Sequence, residues 1–285
     1  MNGTSDNMRP DDGQETDLTT AARQWWRTGI IDIQPGSIRI KGTPIETLIG
    51  TISFPEMIWR MLRDDRPTPA QLRLFEAALV SSVDHGPQAP SIAIARMAVT
   101  CGVNLNGAMA SGVNVLDDIH GGAGEQCLAL YRDAVERMQG GADAHRAADE
   151  ALRSFQSHHG SIIPGFGHRF HPVDPRAVRL TALAAEAAAQ HQIEGCFLDV
   201  ATTMQSLLVT RNGRTIPMNI DGATAVIYGE LGFPDALARG LFVLSRSVGI
   251  LAHAWEQKQQ GGRIKGPLPP SLGYTYTGPG PDPAA

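Results

Sequence analysis

Three of the nine histidines in this chain stand against glycines: His85 in Asp84-His85-Gly86-Pro87, His120 in His120-Gly121-Gly122, and His168 in Pro164-Gly165-Phe166-Gly167-His168-Arg169. Imidazole gives or takes a proton near neutral pH, and glycine lets backbone approach a ligand or adopt angles that other residues avoid. A helix starting after such a loop offers free N–H groups to anions and developing oxyanions. One His-Gly pair is explained equally well by a helix end. Three of them put a proton-transfer site and plain helix termini on level terms. Two further residues bear on that choice. Asp221, in Met218-Asn219-Ile220-Asp221-Gly222, falls between an apolar strand-like run and a helix starting near Ala223, where N-capping is its plainest role. Arg246 lies mid-way along an apolar segment, between Leu244 and Val248. A guanidinium buried there must meet an anion, either a structural carboxylate or a carboxylate of a substrate.

The elements that hold these residues read mostly as helices. Thr68-Pro69 is an N-cap followed by proline at the first helical position. Leu72, Phe75, Leu79 and Val83 then repeat at helical spacing up to Asp84-His85-Gly86. Further helices are expected over 90–101, 107–118, 123–139, 175–190, 193–210 and 235–260. The last is apolar on nearly every side and must lie inside the protein or at a subunit interface. Ile38 and Ile40 alternate with Arg39 before Lys41-Gly42, predicting a short hairpin over 37–45. Residues 140–160 fit no pattern and read as a loop. Residues 1 to about 20 are polar and acidic, predicting a disordered lead. The stretch from Gly266 contains six prolines and four glycines and is expected to be irregular. The fold class is all-α.

Composition narrows the function. With 42% hydrophobic and 19% charged residues, the chain has an ordinary globular balance. No apolar run reaches the roughly 20 residues of a membrane helix. An acidic N-terminus argues against a secretory signal or an Arg-rich transit peptide, so the expected location is the cytoplasm. A net charge of −5 speaks against nucleic acid as a partner. Cys101, Cys127 and Cys196 have no CxxC spacing and read as reduced core residues. His158, His159 and His171 lack metal-ligand spacing and read as surface residues, so no metal site is expected. His145 and His191 read as solvated, and His253 as a packing residue on a helix face.

The residues quoted so far, together with Asp174-Pro175-Arg176, Asn219-Ile220-Asp221 and Ser245-Arg246-Ser247-Val248-Gly249-Ile250-Leu251-Ala252-His253, resemble the citrate synthase superfamily in order and spacing. The Asp84-His85-Gly86-Pro87 box, the Asp221-Gly222 pair and the short length look like citryl-CoA lyases and the matching module of ATP-citrate lyase. Citrate synthases usually carry a glutamate in place of Gly86, and an arginine where Gly266 precedes Pro267; His120, by contrast, is synthase-like.

The resemblance implies a large helical domain from residues 23–121 and 222–285, a smaller one from 122–221, and a lead of 1–22. The active site would lie in the cleft between the two domains, in a homodimer whose interface uses the helices near 72–83, 90–101 and 107–118. It also implies catalytic roles. His168 is the base for a tertiary hydroxyl, His120 the donor to an enolate oxygen, and Asp221 the acid/base at carbon. Arg176, Arg246 and His85 would bind the oxo-acid carboxylates, with Lys265 or Arg263 in place of the missing arginine. Pro164, Gly165, Phe166, Gly167 and Arg169 would meet coenzyme A. The expected substrates are an acyl-CoA thioester and a 2-oxo dicarboxylic acid, with no permanently bound cofactor. Cleavage of citryl-CoA is the leading expectation. Citrate synthase-type condensation with thioester hydrolysis, and a non-catalytic acyl-CoA-binding relative, are the alternatives.

Overall fold

The computed structural model describes residues 12–168, 171–212 and 216–280. Its contacts separate two compact units, Met1–Thr68 and Pro69–Ala285. In the first, helix α1 (Asp12–Trp25) precedes a three-stranded antiparallel sheet of β1 (Ile31–Gln34), β2 (Ser37–Ile40) and β3 (Thr43–Pro44). Helices α2 (Ile45–Leu48) and α3 (Phe54–Leu62) follow. Two expectations change here. Residues 12–22, expected as part of a disordered lead, are helical, while residues 1–11 lie outside the described residues. The hairpin gains a third strand because Ile31-Asp32-Ile33 repeats the same alternation, in register with Ile40, Arg39 and Ile38. Ser53 caps α3 by accepting from the Glu56 amide at 3.3 Å, a Ser-x-x-Glu start with proline inside the first turn.

The second unit is all helix: α4 (Pro69–Ser81), α5 (Pro90–Thr100), α6 (Leu105–Val113), α7 (Ala123–Gln139), α8 (Ala144–His159), α9 (Pro175–Ala189), α10 (Cys196–Asn212), α11 (Ile220–Glu230) and α12 (Asp235–Gln260). The expected loop over 140–160 is mostly helix α8. Asp143 caps it, accepting from the Arg146 amide at 2.9 Å, and its buried face is Ala147, Ala148, Ala151 and Leu152. Those residues lie opposite a polar face of Arg146, Arg153 and Ser157, an amphipathic pattern that the sequence itself carries. The helix expected over 107–118 stops at Val113, leaving a turn that carries His120.

Helix α11 is buried from Gly222 through Gly229 and packs against α4, α7, α9 and α10. A helix apolar all round belongs in this central position. Helix α12 crosses α4, α5, α6 and α7. It is the one described helix long and apolar enough to cross a membrane, yet it carries Arg239 and Arg246 and seals a core of Ile92, Ala95, Ala108, Leu116, Ile250 and Ala254. Beyond Gly266 a single 3₁₀ turn, Pro270–Leu272, interrupts an irregular, exposed segment.

Candidate active site

Six of the expected residues meet in one cavity of about 180 Å³: His85, His120, His168, Arg176, Asp221 and Arg246. Ile119, Gly121, Ala123, Ile220 and Phe242 complete its walls. They come from four helix termini and one helix middle, separated by up to 161 residues of sequence, between His85 and Arg246.

Helix α12 presses directly on the turn that follows α4. A Cβ on Gly249 would lie 2.1 Å from the Val83 carbonyl, so only glycine permits the contact. One turn earlier, Arg246 is 4% exposed; its Nε donates to the Ser82 carbonyl at 3.0 Å and its guanidinium lies 4.9 Å from the Phe242 ring centre. Among the described residues no carboxylate forms an ion pair with it. Asp84 and Asp221 nevertheless favour its charge from nearby, against the burial that opposes it. His85 sits on the same turn. Asp84 steadies that turn by accepting from the Gly86 amide at 3.2 Å and pairing with His253 Nε2 at 3.2 Å. His253 is therefore a polar link rather than plain packing, with Arg96 donating to its Nδ1 at 3.1 Å.

His120 accepts the Ser91 backbone N–H at Nε2, 3.2 Å away. The neutral ring must then carry its proton on Nδ1, where it can donate to an oxyanion. Arg239 clamps this turn from α12, reaching Asp117 at 2.5 Å, Asp118 at 2.6 Å, and Glu125. His168 accepts the His171 backbone N–H at Nδ1, 3.0 Å away, so its neutral form carries the proton on Nε2. Burial pulls His85, His120 and His168 below the ordinary imidazole value; Arg176 adds to this at His85 and Arg246 at His120, whereas Asp174 opposes it at His168. The three rings are thereby kept neutral near pH 7.

Asp221 is not the helix cap. Asn219 takes that role, its side chain accepting from the amides of Asp221 at 2.9 Å and Gly222 at 3.3 Å. The Asp221 carboxyl is left in the first turn of α11, facing the cavity. Burial pushes its pKa up, against the pull of Arg176 and Arg246. Asp174, 1% exposed, is a positioning residue that sequence reasoning missed. It holds the Arg176 guanidinium at 3.0 and 2.9 Å and accepts the Ile220 amide at 3.1 Å, joining α9 to the start of α11. Its place in the Asp174-Pro175-Arg176 motif was the available signal.

The loop Pro164-Gly165-Phe166-Gly167 is held by Asn219, whose amide donates to the Gly165 carbonyl at 2.9 Å and whose side chain donates to the Gly167 carbonyl at 2.7 Å. Gly165 has φ +82°, and a Cβ there would strike Cys127 Sγ at 2.3 Å. Phe166 is buried against Tyr131. Pro164 lines a second cavity of about 760 Å³ between α7 and α8, which shares Ile119 and Ala123 with the first. Arg169 lies outside the described residues. Lys265 does not line the small cavity; its amide is tied to Thr100 Oγ1 at 3.0 Å, and with Arg263 it borders a separate recess between residues 257 and 270. His171, read as a surface residue, lies against the site, its ring 4.6 Å from that of His168 and 6.1 Å from that of His85.

A helical fold with one cleft that gathers these groups defines the class, and comparison with known proteins agrees. The family model for the citrate synthase C-terminal domain matches residues 52–267, and the chain belongs to the citrate synthase family. Citrate synthase 1 of Mycobacterium tuberculosis is 28% identical over 214 residues, 73% of this chain and 48% of that protein. The chain thus spans about half the length of the curated relatives it matches. The structure of citryl-CoA lyase from Hydrogenobacter thermophilus is similar at 30% identity and a TM-score of 0.79, covering 90% of this chain and 96% of that one. ATP citrate lyase from Methanothrix soehngenii, solved with citrate and coenzyme A, shares the fold at 20% identity and a TM-score of 0.76, over 98% of this chain and 46% of that one.

Proposed function

We propose that this protein cleaves citryl-CoA, or a related 3-hydroxy-3-carboxyacyl-CoA, to an acyl-CoA and a 2-oxo acid such as oxaloacetate. The convergence of His120, His168 and Asp221 on one cavity with two guanidiniums carries the reading. His168 accepts the proton of the tertiary hydroxyl as the adjacent carbon–carbon bond breaks. The bonding electrons pass into the thioester carbonyl, whose enolate oxygen receives the Nδ1–H of His120. Asp221 then protonates the carbanion, and its raised pKa helps it hold that proton. Arg246 and Arg176, with His85, hold the carboxylates. The pantetheine arm of coenzyme A is assigned to the larger cavity, which shares Ile119 and Ala123 with the small one and is also lined by Pro164. His85, His120 and Arg246 belong to the expected large domain and His168 and Arg176 to the small one, so closure would exclude water.

The near full-length likeness to a citryl-CoA lyase supports cleavage over synthesis. One contact favours condensation with thioester hydrolysis instead. The His171 amide leaves the His168 proton on Nε2, ready to be donated to an oxo-acid carbonyl. Cleavage requires the same ring to shed or move that proton first. Retention of all three proton-transfer groups argues against a non-catalytic binder. The test is incubation with synthetic citryl-CoA, and separately with acetyl-CoA plus oxaloacetate. Acetyl-CoA and oxaloacetate formed without free thiol is the expected result; steady thiol release from the second mixture establishes the synthase reading in its place.

A further inference from the structure

Helix α12 engages the turn after α4 one residue at a time. Arg246 Nε donates to the Ser82 carbonyl at 3.0 Å, Gly249 admits the Val83 carbonyl where a Cβ would lie 2.1 Å away, and His253 Nε2 lies 3.2 Å from Asp84 Oδ1. Residues 246, 249 and 253 share one helix face, so Ser82, Val83 and Asp84 are held in series just before His85. The last contact brings a carboxylate to the face that also carries the buried guanidinium. A Cβ on Gly249 would lie 3.2 Å from Asp84 Oδ1, which sets that oxygen against α12 one turn from Arg246. Asp84 is near enough to favour the Arg246 charge, yet the two form no ion pair. Its oxygens are engaged elsewhere: Oδ2 accepts the Gly86 amide at 3.2 Å and Oδ1 faces His253. The His253 ring is oriented in turn. Arg96 can only donate, so its Nη1 contact with Nδ1 at 3.1 Å needs a lone pair there and leaves the ring proton on Nε2, toward Asp84. Glu256 and Gln260, farther along α12, hold the same Arg96 guanidinium at 2.5 and 2.8 Å.

We propose that His253 is a positioning residue for the oxo-acid site: by holding Asp84 it keeps that carboxylate from closing onto Arg246, and so leaves the guanidinium to a carboxylate of the substrate. The inference rests on the proposed role of Arg246 as an oxo-acid ligand and adds how that ligand is kept available. Without the Nε2–H donor, Asp84 Oδ1 loses its partner beside a guanidinium that is only 4% exposed. In such a poorly hydrated place a neighbouring carboxylate is a strong competitor, because the attraction between opposite charges is weakly screened. An internal Asp84–Arg246 pair would then have to break each time substrate binds.

The experiment is calorimetric binding of oxaloacetate to the full chain and to four variants, with thermal melts to confirm folding. His253→Met fills the space without a donor and should lose roughly 10- to 100-fold in affinity, the worth of a charge-assisted contact. His253→Asn, whose amide stops short of Asp84, should reproduce that loss in a second background. His253→Gln, whose amide can accept from Arg96 and donate to Asp84, should recover most of it. The decisive variant is His253→Met combined with Asp84→Asn, which removes the competing anion and should bind oxaloacetate more tightly than His253→Met alone. A residue that merely braced the turn would show the reverse, since the second substitution weakens the turn further. A double variant that binds no better than His253→Met overturns the inference, as does undiminished affinity in both His253→Met and His253→Asn. Citryl-CoA turnover by the parent is measured alongside; its absence overturns the proposed cleavage, whereas this inference stands or falls on the affinities.

Discussion

Asp221 shows how catalysis and stability oppose each other within one side chain. Its carboxyl is deeply set and its pKa is raised in the folded state, so the folded protein loses stability as pH rises through that value. Asparagine has no ionised form to bury. Asp221→Asn is therefore expected to lower acyl-CoA turnover by roughly 10²- to 10⁴-fold and yet to melt higher than the parent at pH 7. That margin should narrow as pH falls toward the ordinary carboxylate value, because the parent then takes up its proton. Turnover assays and thermal melts between pH 4 and 8 check both halves. Asp174 is the opposite case, a buried carboxylate whose pKa is held down by Arg176. Removing its charge in Asp174→Asn frees Arg176 and should cost about 3 kcal/mol in stability. It should also raise KM for the oxo-acid more than it lowers kcat, as denaturant titration and steady-state kinetics would show.

At the scale of elements, the site depends on backbones that touch. Gly222 on α11 and Gly165 in the 164–167 loop lie so close that a Cβ on Gly222 would sit 2.5 Å from the Gly165 carbonyl. Gly222→Ala must push the loop off the helix, with an expected cost of about 1–3 kcal/mol and a fall in kcat as His168 and Asp221 separate. Gly240, on the exposed side of α12, has nothing within 4 Å of an added Cβ. Gly240→Ala is the matched control and should gain about 0.5–1 kcal/mol from helix propensity. Paired melts and activity assays separate the two; equal effects at both glycines would remove close backbone approach as the explanation. The helices themselves follow from their start signals and stripes. Proline opens α4, α5 and α9, and Glu230 closes the start of α10 by accepting the amides of Gly195, Phe197 and Leu198 at 2.9, 2.8 and 3.1 Å.

For the molecule as a whole, α12 presents Leu244, Val248, Leu251 and Trp255 at 39 to 59% exposure, at helical spacing along one face. The reading of this helix as buried or at an interface is thus met on one side by the core of the chain. We propose that the homodimer implied by the resemblance forms through α4, α5 and α6, which predicts a mass near twice 30.5 kDa by light scattering at micromolar concentration. A stable monomer removes that part of the proposal.

What the chain decides by itself is local. Thr68-Pro69, the stripe of α4, the nearly all-round apolar run of α12 and the glycine-flanked histidines were legible because caps and periodicity act within a few residues. The motif residues could be chosen from their types and order. Helix α8, expected as a loop, carries its own signal in Asp143 as cap and in the alternation of its alanine face with Arg146 and Arg153. The cap at Asn219, which displaced Asp221 from that role, was not legible, nor was the tie of Asp174 to the start of α11. His171 joining the site and the tautomers set by the amides of Ser91 and His171 came only with the tertiary structure. The Ser91–His120 contact and the Asp174–Ile220 tie join groups 29 and 46 residues apart, and their meeting is set by how whole helices pack, which no spacing along the chain encodes; the His171–His168 contact is local and depends on the turn it closes.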